Sequence, residues 1–336
     1  MTLYVTFHGG KPTKSIPKPI WYVVSYAPVN DVWQQANANV LGLPAPSGSD
    51  AADGYELRDL QLAWDGNFYL VNSYKGASVI WQIPEAGLAP GAAPVVYTSG
   101  AAIPGIDHPF GFCFDSAMQV CFISAQDTNV VVAAYGPPHK KSGTALPVNS
   151  TVPGSNFLAG TFVASELGIP VPVGSKPVPS NVKGSDGGLH YSPKSGPPLS
   201  NSVRGVALIG TTLFAADEVG SEVKTFDVIT GDYLGPIKDP NHLIDSPVHL
   251  LASEGTLYIS TSKAVLSYDP GTATLVTVVP HLTSPAGMAF DAEGNFYVAN
   301  RTGGSIDGYD YLFQPMAGNP LISGLADNPE FLWCVD

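Results

Sequence analysis

Between Ser284 and Asn300 the chain reads Ser-Pro-Ala-Gly-Met-Ala-Phe-Asp-Ala-Glu-Gly-Asn-Phe-Tyr-Val-Ala-Asn, and degraded copies of that segment return roughly every 40 to 50 residues. The copies run from Leu60 to Asn72, Pro109 to Ala125, Val203 to Asp217 and Pro247 to Thr261. Each is an alternating apolar run, a Gly or Asp turn and a second run rich in β-branched and aromatic residues, the pattern of a β-hairpin. A third strand is expected after each, at 78–83, 130–135, 223–228, 264–269 and 305–310. That makes five blades of a β-propeller, whose four-stranded units bury their faces only against one another. A sixth is split across the termini: Asn328 to Asp336 matches the first strand of the repeat and Thr2 to Phe7 the second. The expectation is therefore an all-β, six-bladed β-propeller, residues 1–336 forming a single domain, with the C-terminal strand closing the ring onto the N-terminal strand in blade 1 and leaving no open sheet edge.

Composition excludes several classes. A net charge of -13 argues against a nucleic-acid partner, whose phosphates require basic patches. No apolar run approaches a membrane span, so no membrane partner is expected. With a first strand beginning near residue 2, no signal peptide is expected unless the chain has been processed, so the sequence leaves localisation open. No P-loop, dinucleotide fingerprint or Gly-x-Ser-x-Gly elbow occurs, so no nucleotide cofactor is expected. Cys113 and Cys121 are placed as opposite partners in one hairpin, either a disulfide or two buried thiols.

In a propeller the inner strand of each blade starts, and the second ends, at the same mouth of the central channel. Starting positions read as Leu60, Phe110, Arg204, Val248, Ala286 and Glu330, with Gln61, His108 and His249 adjacent. Ending positions read as His8, Asn72, Gln126, Asp217, Glu218, Thr261, Asn300 and Arg301, with Tyr74 just beyond. So polar a mouth is a candidate site for a small polar molecule. A long insertion, about 166–202, rich in Pro, Gly and Ser and containing His190, is placed over the same mouth as a lid or a decoration.

The blade pattern Pro-x-Gly, Asp-x-x-Gly-Asn, Tyr-Val-Ala-Asn resembles the NHL and gluconolactonase-like propeller superfamily, which includes strictosidine-synthase-like enzymes and peptide amidating lyases. The resemblance implies the fold over essentially the whole ring, and a function among hydrolases, lyases, condensing enzymes and binding scaffolds. It also implies a divalent ion on the axis, with Glu330 at the position of the family's Glu ligand. Arg204, Val248 and Ala286 stand where later oxygen ligands belong, which departs from that set; Asn72, Asp217 and Asn300 are alternative calcium ligands or strand-ending residues. His8, His108 and His249, one blade apart, are a candidate zinc or iron site, as in the His-ligated amidating lyases, or three separate histidines. A metal-free reading has Arg204 clamping an anion, with Asp217 nearby and Glu330 or His249 as general acid or base. The sequence thus points to a hydrolase or lyase with Arg204, His249, Asp217 and Glu330 as catalytic candidates. Asn72, Tyr74, Asn300, Arg301 and His190 are the substrate-binding candidates. The alternative is a scaffold propeller for a peptide, a glycan or a protein.

Overall fold

The apolar runs of this chain pair as antiparallel hairpins because alternation leaves each strand with two faces, and in the second strand of each blade both faces are buried. In the computed structural model the residues described are 1–45, 54–73, 78–84, 94–103, 106–126, 130–145, 161–164, 203–228 and 233–335. Blade 1 takes β1 (Thr2–Phe7), β2 (Val24–Val29) and β3 (Val32–Asn37). Blade 2 is β4 (Leu57–Leu62), β5 (Asn67–Asn72), β6 (Val79–Pro84) and β7 (Val95–Ser99). Blade 3 is β8 (Pro109–Asp115), β9 (Val120–Ala125), β10 (Val130–Tyr135) and β11 (Thr161–Ala164). Blade 4 is β12 (Val203–Ile209), β13 (Thr212–Asp217), β14 (Glu222–Asp227) and β15 (Tyr233–Pro236). Blade 5 is β16 (Leu250–Ser253), β17 (Thr256–Ser260), β18 (Val265–Asp269) and β19 (Thr274–Val279). Blade 6 is β20 (Pro285–Phe290), β21 (Phe296–Asn300) and β22 (Ser305–Tyr309).

The last strand, β23 (Pro329–Val335), returns to blade 1 as its inner strand and pairs with β1 from Thr2↔Val335 to Phe7↔Pro329. The expected closure of the ring is therefore present, and the inner strands of neighbouring blades touch all the way round. Blade 6 has three strands; its outer flank is covered by the segment after β22, which bridges back at Ile306↔Ile322 and Tyr309↔Pro315.

Alternation along the second strands builds the core. Tyr69 and Val71 point toward blade 3 and meet Phe112, Cys121 and Ile123. Phe68 and Leu70 point the other way and meet Tyr4, Val23 and Leu41 of blade 1. The same two-sided burial recurs in blade 4, where Leu213 packs on blade 3 and Phe214 on blade 5. Burying each such side chain contributes about 1.5–3 kcal/mol, so the blade-to-blade interfaces carry the stability.

Cys113 and Cys121 are a correction to the expected pairing. The strands meet as Cys113↔Phe122 and Phe114↔Cys121, because the hairpin turns about Asp115↔Val120. The one-residue offset sends the two side chains to opposite faces, Cys121 toward blade 2 and Cys113 toward blade 4. Both are free, buried thiols.

Candidate functional site

One irregularity near the start of the inner strands decides what faces the channel. In blades 1, 2, 3, 4 and 6 the ladder shifts register there, as between Pro285↔Asn300 and Met288↔Val298. The residues inside these bulges, with Val248 and His249 just before the ladder of blade 5, fall in two layers. The upper layer is Arg58, Phe110, Arg204, Val248, Ala286 and Glu330; the layer below is Asp59, Gly111, Gly205, His249, Gly287 and Phe331. Blade 2 thus contributes Arg58 to the mouth in place of the expected Leu60, which lies farther along the strand and is buried between blades 1 and 2. The glycines let the blades approach: a Cβ at Gly287 would lie 2.4 Å from the Phe331 Cα.

Phe110, Val248, Ala286 and Phe331 meet on the axis as a buried apolar plug. Above it stand three guanidiniums, from Arg58, Arg204 and Arg301. Arg204 lies 5.0 Å from the centroid of the Phe110 ring, and its Nε donates to Glu218 Oε2 at 2.6 Å while Nη1 donates to Gln126 Oε1. Arg58 is buried, donates to the His8 carbonyl at 3.1 Å and pairs with Glu56 at 3.6 Å. Arg301 Nη2 sits 3.0 Å from Glu330 Oε1.

Glu330 is wholly buried, and neither of its carboxylate oxygens has a hydrogen-bond partner; the Nε of Arg301 has none either. Burial pushes the Glu330 carboxyl up, but Arg301, Arg58, His8 and Arg204 together outweigh it and hold the group below the usual carboxylate range. His8 is lowered, by burial first and by Arg58 second, so its imidazole is neutral at neutral pH. The backbone around His8 is tied down by the Asn328 carbonyl, which accepts the His8 N–H at 2.9 Å, and by Asp327, whose Oδ2 accepts the Gly9 and Ile20 N–H groups at 3.0 and 2.8 Å.

The expected site residues divide between this mouth and elsewhere. Arg204, Glu330, Arg301 and His8 gather at it, and His108 joins them with its Nε2 3.9 Å from Glu56 Oε2. Asp217 does not; its carboxylate pairs with Lys224 at 2.6 Å and accepts the Gly220 N–H at 2.8 Å, which makes it a structural anchor of its blade. Asn72 accepts the Glu56 N–H at 3.1 Å, and Asn300 accepts the Thr283 N–H at 2.9 Å while donating to Asp307. Both amides are used in tying loops to strand ends.

His249 is the largest departure. It occupies the lower layer, beneath the plug, where its ring packs 4.7 Å from Phe331 and its Nδ1 accepts the Met288 N–H at 3.1 Å. Burial lowers its pKa to about 3, against a smaller opposing effect from the Ala286 carbonyl. It therefore shares no site with His8 and His108, and among the described residues no three His, Cys, Asp or Glu side chains are grouped as a metal ion requires. An axial calcium fits no better, because three guanidiniums surround Glu330 where a cation would sit. Tyr74, His190 and the 166–202 insertion lie outside the described residues.

Arg58 lies two residues before the apolar run that marks the repeat in blade 2, so that run does not point to it. Counting back from strand ends finds it, since Arg58 precedes Asn72 by the same interval as Ala286 precedes Asn300.

No family model matches the chain, and no curated protein matches it. Among solved structures, a chain from the crystal structure of a nidogen/laminin complex aligns with a TM-score of 0.57 at 9% identity, covering 98% of this chain and 96% of that one. A streptogramin B lyase aligns with a TM-score of 0.44 at 11% identity, covering 77% of this chain and 67% of that one. The computationally designed Ika8 protein aligns with a TM-score of 0.46 at 13% identity over 99% of this chain and 91% of that one. At 9% identity, the likeness to the nidogen/laminin chain shows the fold alone: this chain is a six-bladed β-propeller.

Proposed function

We propose that this propeller, whose repeat resembles the NHL and gluconolactonase-like superfamily, binds a small polar molecule at the charged mouth and acts on it by hydrolysis or elimination. The observation that carries the reading is the Glu330–Arg301 pair. A buried carboxylate has no hydrogen bond beyond its ion pair with a guanidinium, whose own Nε donor is unfilled. Each buried polar group left without a partner costs about 1–3 kcal/mol. A ligand that carries both a donor and an acceptor oxygen removes that cost on binding, which selects hydroxy acids, amino acids and their esters, lactones or amides.

The same groups supply chemistry. Glu330, ionised at neutral pH, and the neutral His8 are both bases beside the ligand, and either reaction begins with removal of a proton from water or from carbon. Arg301 and Arg204 stabilise the negative charge that develops, above an apolar floor that keeps the local dielectric low. This assignment moves the acid–base role from His249 to His8.

The test is a thermal-shift and NMR screen of small hydroxy acids, amino acids and their lactones or esters, followed by activity assays on the compounds that bind. Glu330→Gln keeps the shape and Arg301→Met keeps the stem; each is expected to weaken a bound ligand at least about tenfold, the loss of one charge-assisted hydrogen bond. Ligands that bind both variants as tightly as the native chain refute the site. Binding that fails in the variants, with no turnover of any bound compound, refutes the catalytic half alone.

A further inference from the structure

The other end of the channel, below the plug, opens into a cavity of 440 Å³, within the size range of small-molecule sites. Its walls are the later halves of the inner strands. Trp64, Phe114, Phe290 and Trp333 stand around it, with Leu208, Leu251 and Met288 between them. Its floor is polar where four blades offer only Gly111, Gly205, Gly287 or Phe331: Asp59 from blade 2 and His249 from blade 5, which lie opposite each other across the six-bladed ring. One polar atom of each is turned to a blade. Asp59 Oδ2 accepts the Phe112 N–H at 3.0 Å, just as His249 Nδ1 accepts the Met288 N–H. Gln61, also in the lining, donates from Nε2 to both Asp59 Oδ2 and the Phe112 carbonyl. Both amide hydrogens are thereby occupied, which leaves the Gln61 Oε1 as an acceptor at the cavity floor.

We infer that this lower mouth is a second ligand site, which takes a small, neutral, planar aromatic molecule with one hydrogen-bond donor directed at Gln61 Oε1. The aromatic walls favour edge and offset contacts with such a ring. Among the described residues no cationic side chain lines the cavity and its one carboxylate is already hydrogen-bonded, so a charged ligand would lose its hydration without compensation. The acceptor at the floor discriminates a donor-bearing ring from an isostere that lacks the donor, because the latter leaves a desolvated carbonyl without a partner. The site is separated from the charged mouth by Phe110, Val248, Ala286 and Phe331, and it does not depend on the reading of that mouth.

The probes are indole and its N–H-free isostere benzothiophene, titrated by calorimetry into the full chain. Methyl-labelled methionine reports location, since Met288 lines the cavity and Met316 packs between blades 6 and 1. The expected result is one indole per chain with a shifted Met288 methyl resonance, benzothiophene at least tenfold weaker, and at least a tenfold loss in Leu251→Trp, which narrows the cavity. Leu251 is only partly buried, so this variant is expected to fold, and its melting curve checks that. Indole leaving the Met288 methyl unmoved at millimolar concentration, equal affinity for the two rings, or native affinity in folded Leu251→Trp would each overturn the inference.

Discussion

Asp59 should make this protein less stable as the pH rises through neutrality, and replacing it with Asn should abolish that effect. The side chain is 4% exposed. Burial raises its carboxyl from the ordinary range to about 7, even though the Phe112 N–H, Gln61 and the Leu60 N–H stabilise the ionised form. In the unfolded chain the same group titrates near 3.9. A carboxyl whose folded pKa is raised contributes its full stability when protonated, below the unfolded pKa, and loses it as pH climbs to the folded one. Between those values the loss is about 1.4 kcal/mol per pH unit, so the whole span is worth about 4 kcal/mol, of which about 3 falls between pH 5 and 8. Asn, with its side-chain oxygen in the place of Oδ2, keeps the acceptor for both the Phe112 N–H and the Gln61 Nε2. Urea unfolding at pH 5, 6, 7 and 8 for native and Asp59→Asn chains gives the difference in stability at each pH, and groups common to both chains cancel. That difference should shift by about 3 kcal/mol in favour of the variant by pH 8. A difference that stays flat across this window would mean that water reaches Asp59 and that the floor of the lower cavity is not dry.

Three further outcomes follow from contacts in the blades. Lys224→Met leaves the Asp217 carboxylate buried without its ammonium, and should cost about 3–5 kcal/mol in chemical unfolding; adding Asp217→Leu should restore much of it. Gly287→Ala puts a methyl 2.4 Å from the Phe331 Cα and 2.7 Å from the Glu330 carbonyl, so blades 6 and 1 must part. A loss of about 1–3 kcal/mol in the melt is expected, together with weaker ligand binding at the charged mouth. Asp327→Ala deprives the Gly9, Ile20 and Asn328 N–H groups of their acceptor, and should both destabilise the fold by about 1–3 kcal/mol and speed amide hydrogen exchange at Gly9 and Ile20.

The hairpins were legible because each depends only on local alternation and a turn, and five third strands fell within a residue or two of their expected positions. The closure was legible for the same reason, since Glu330 to Val335 and Thr2 to Phe7 are the two halves of one repeat. The mouth was less so. A bulge inserts a residue without any mark in composition, and past it the alternation no longer tells which side chain faces the axis. Asp59 and His249 both sit one residue past a mouth position, where neither alternation nor composition marks them as lying below the plug. The thiols of Cys113 and Cys121 failed by the same mechanism in miniature, as a turn one residue shorter reversed the side on which one of them lies. Ion-pair partners were the other gap: Arg204 pairs with Glu218 while the adjacent Asp217 pairs with Lys224, and only the opposite orientations of adjacent residues on one strand end decide that.

The pairing of Thr2 with Val335 and of Leu3 with Cys334 has a mechanical consequence. Both chain ends leave the clasp from the same side of the same two strands, so a pull on the ends loads one pair of hydrogen bonds at a time, as a zipper is opened, and never the whole row in shear. The ring should therefore open at low force, peeling from Thr2↔Val335 toward Phe7↔Pro329, before any other blade yields. Under tension, the seam that makes the circle continuous is its weakest place, and Glu330 is carried on the strand that lets go first.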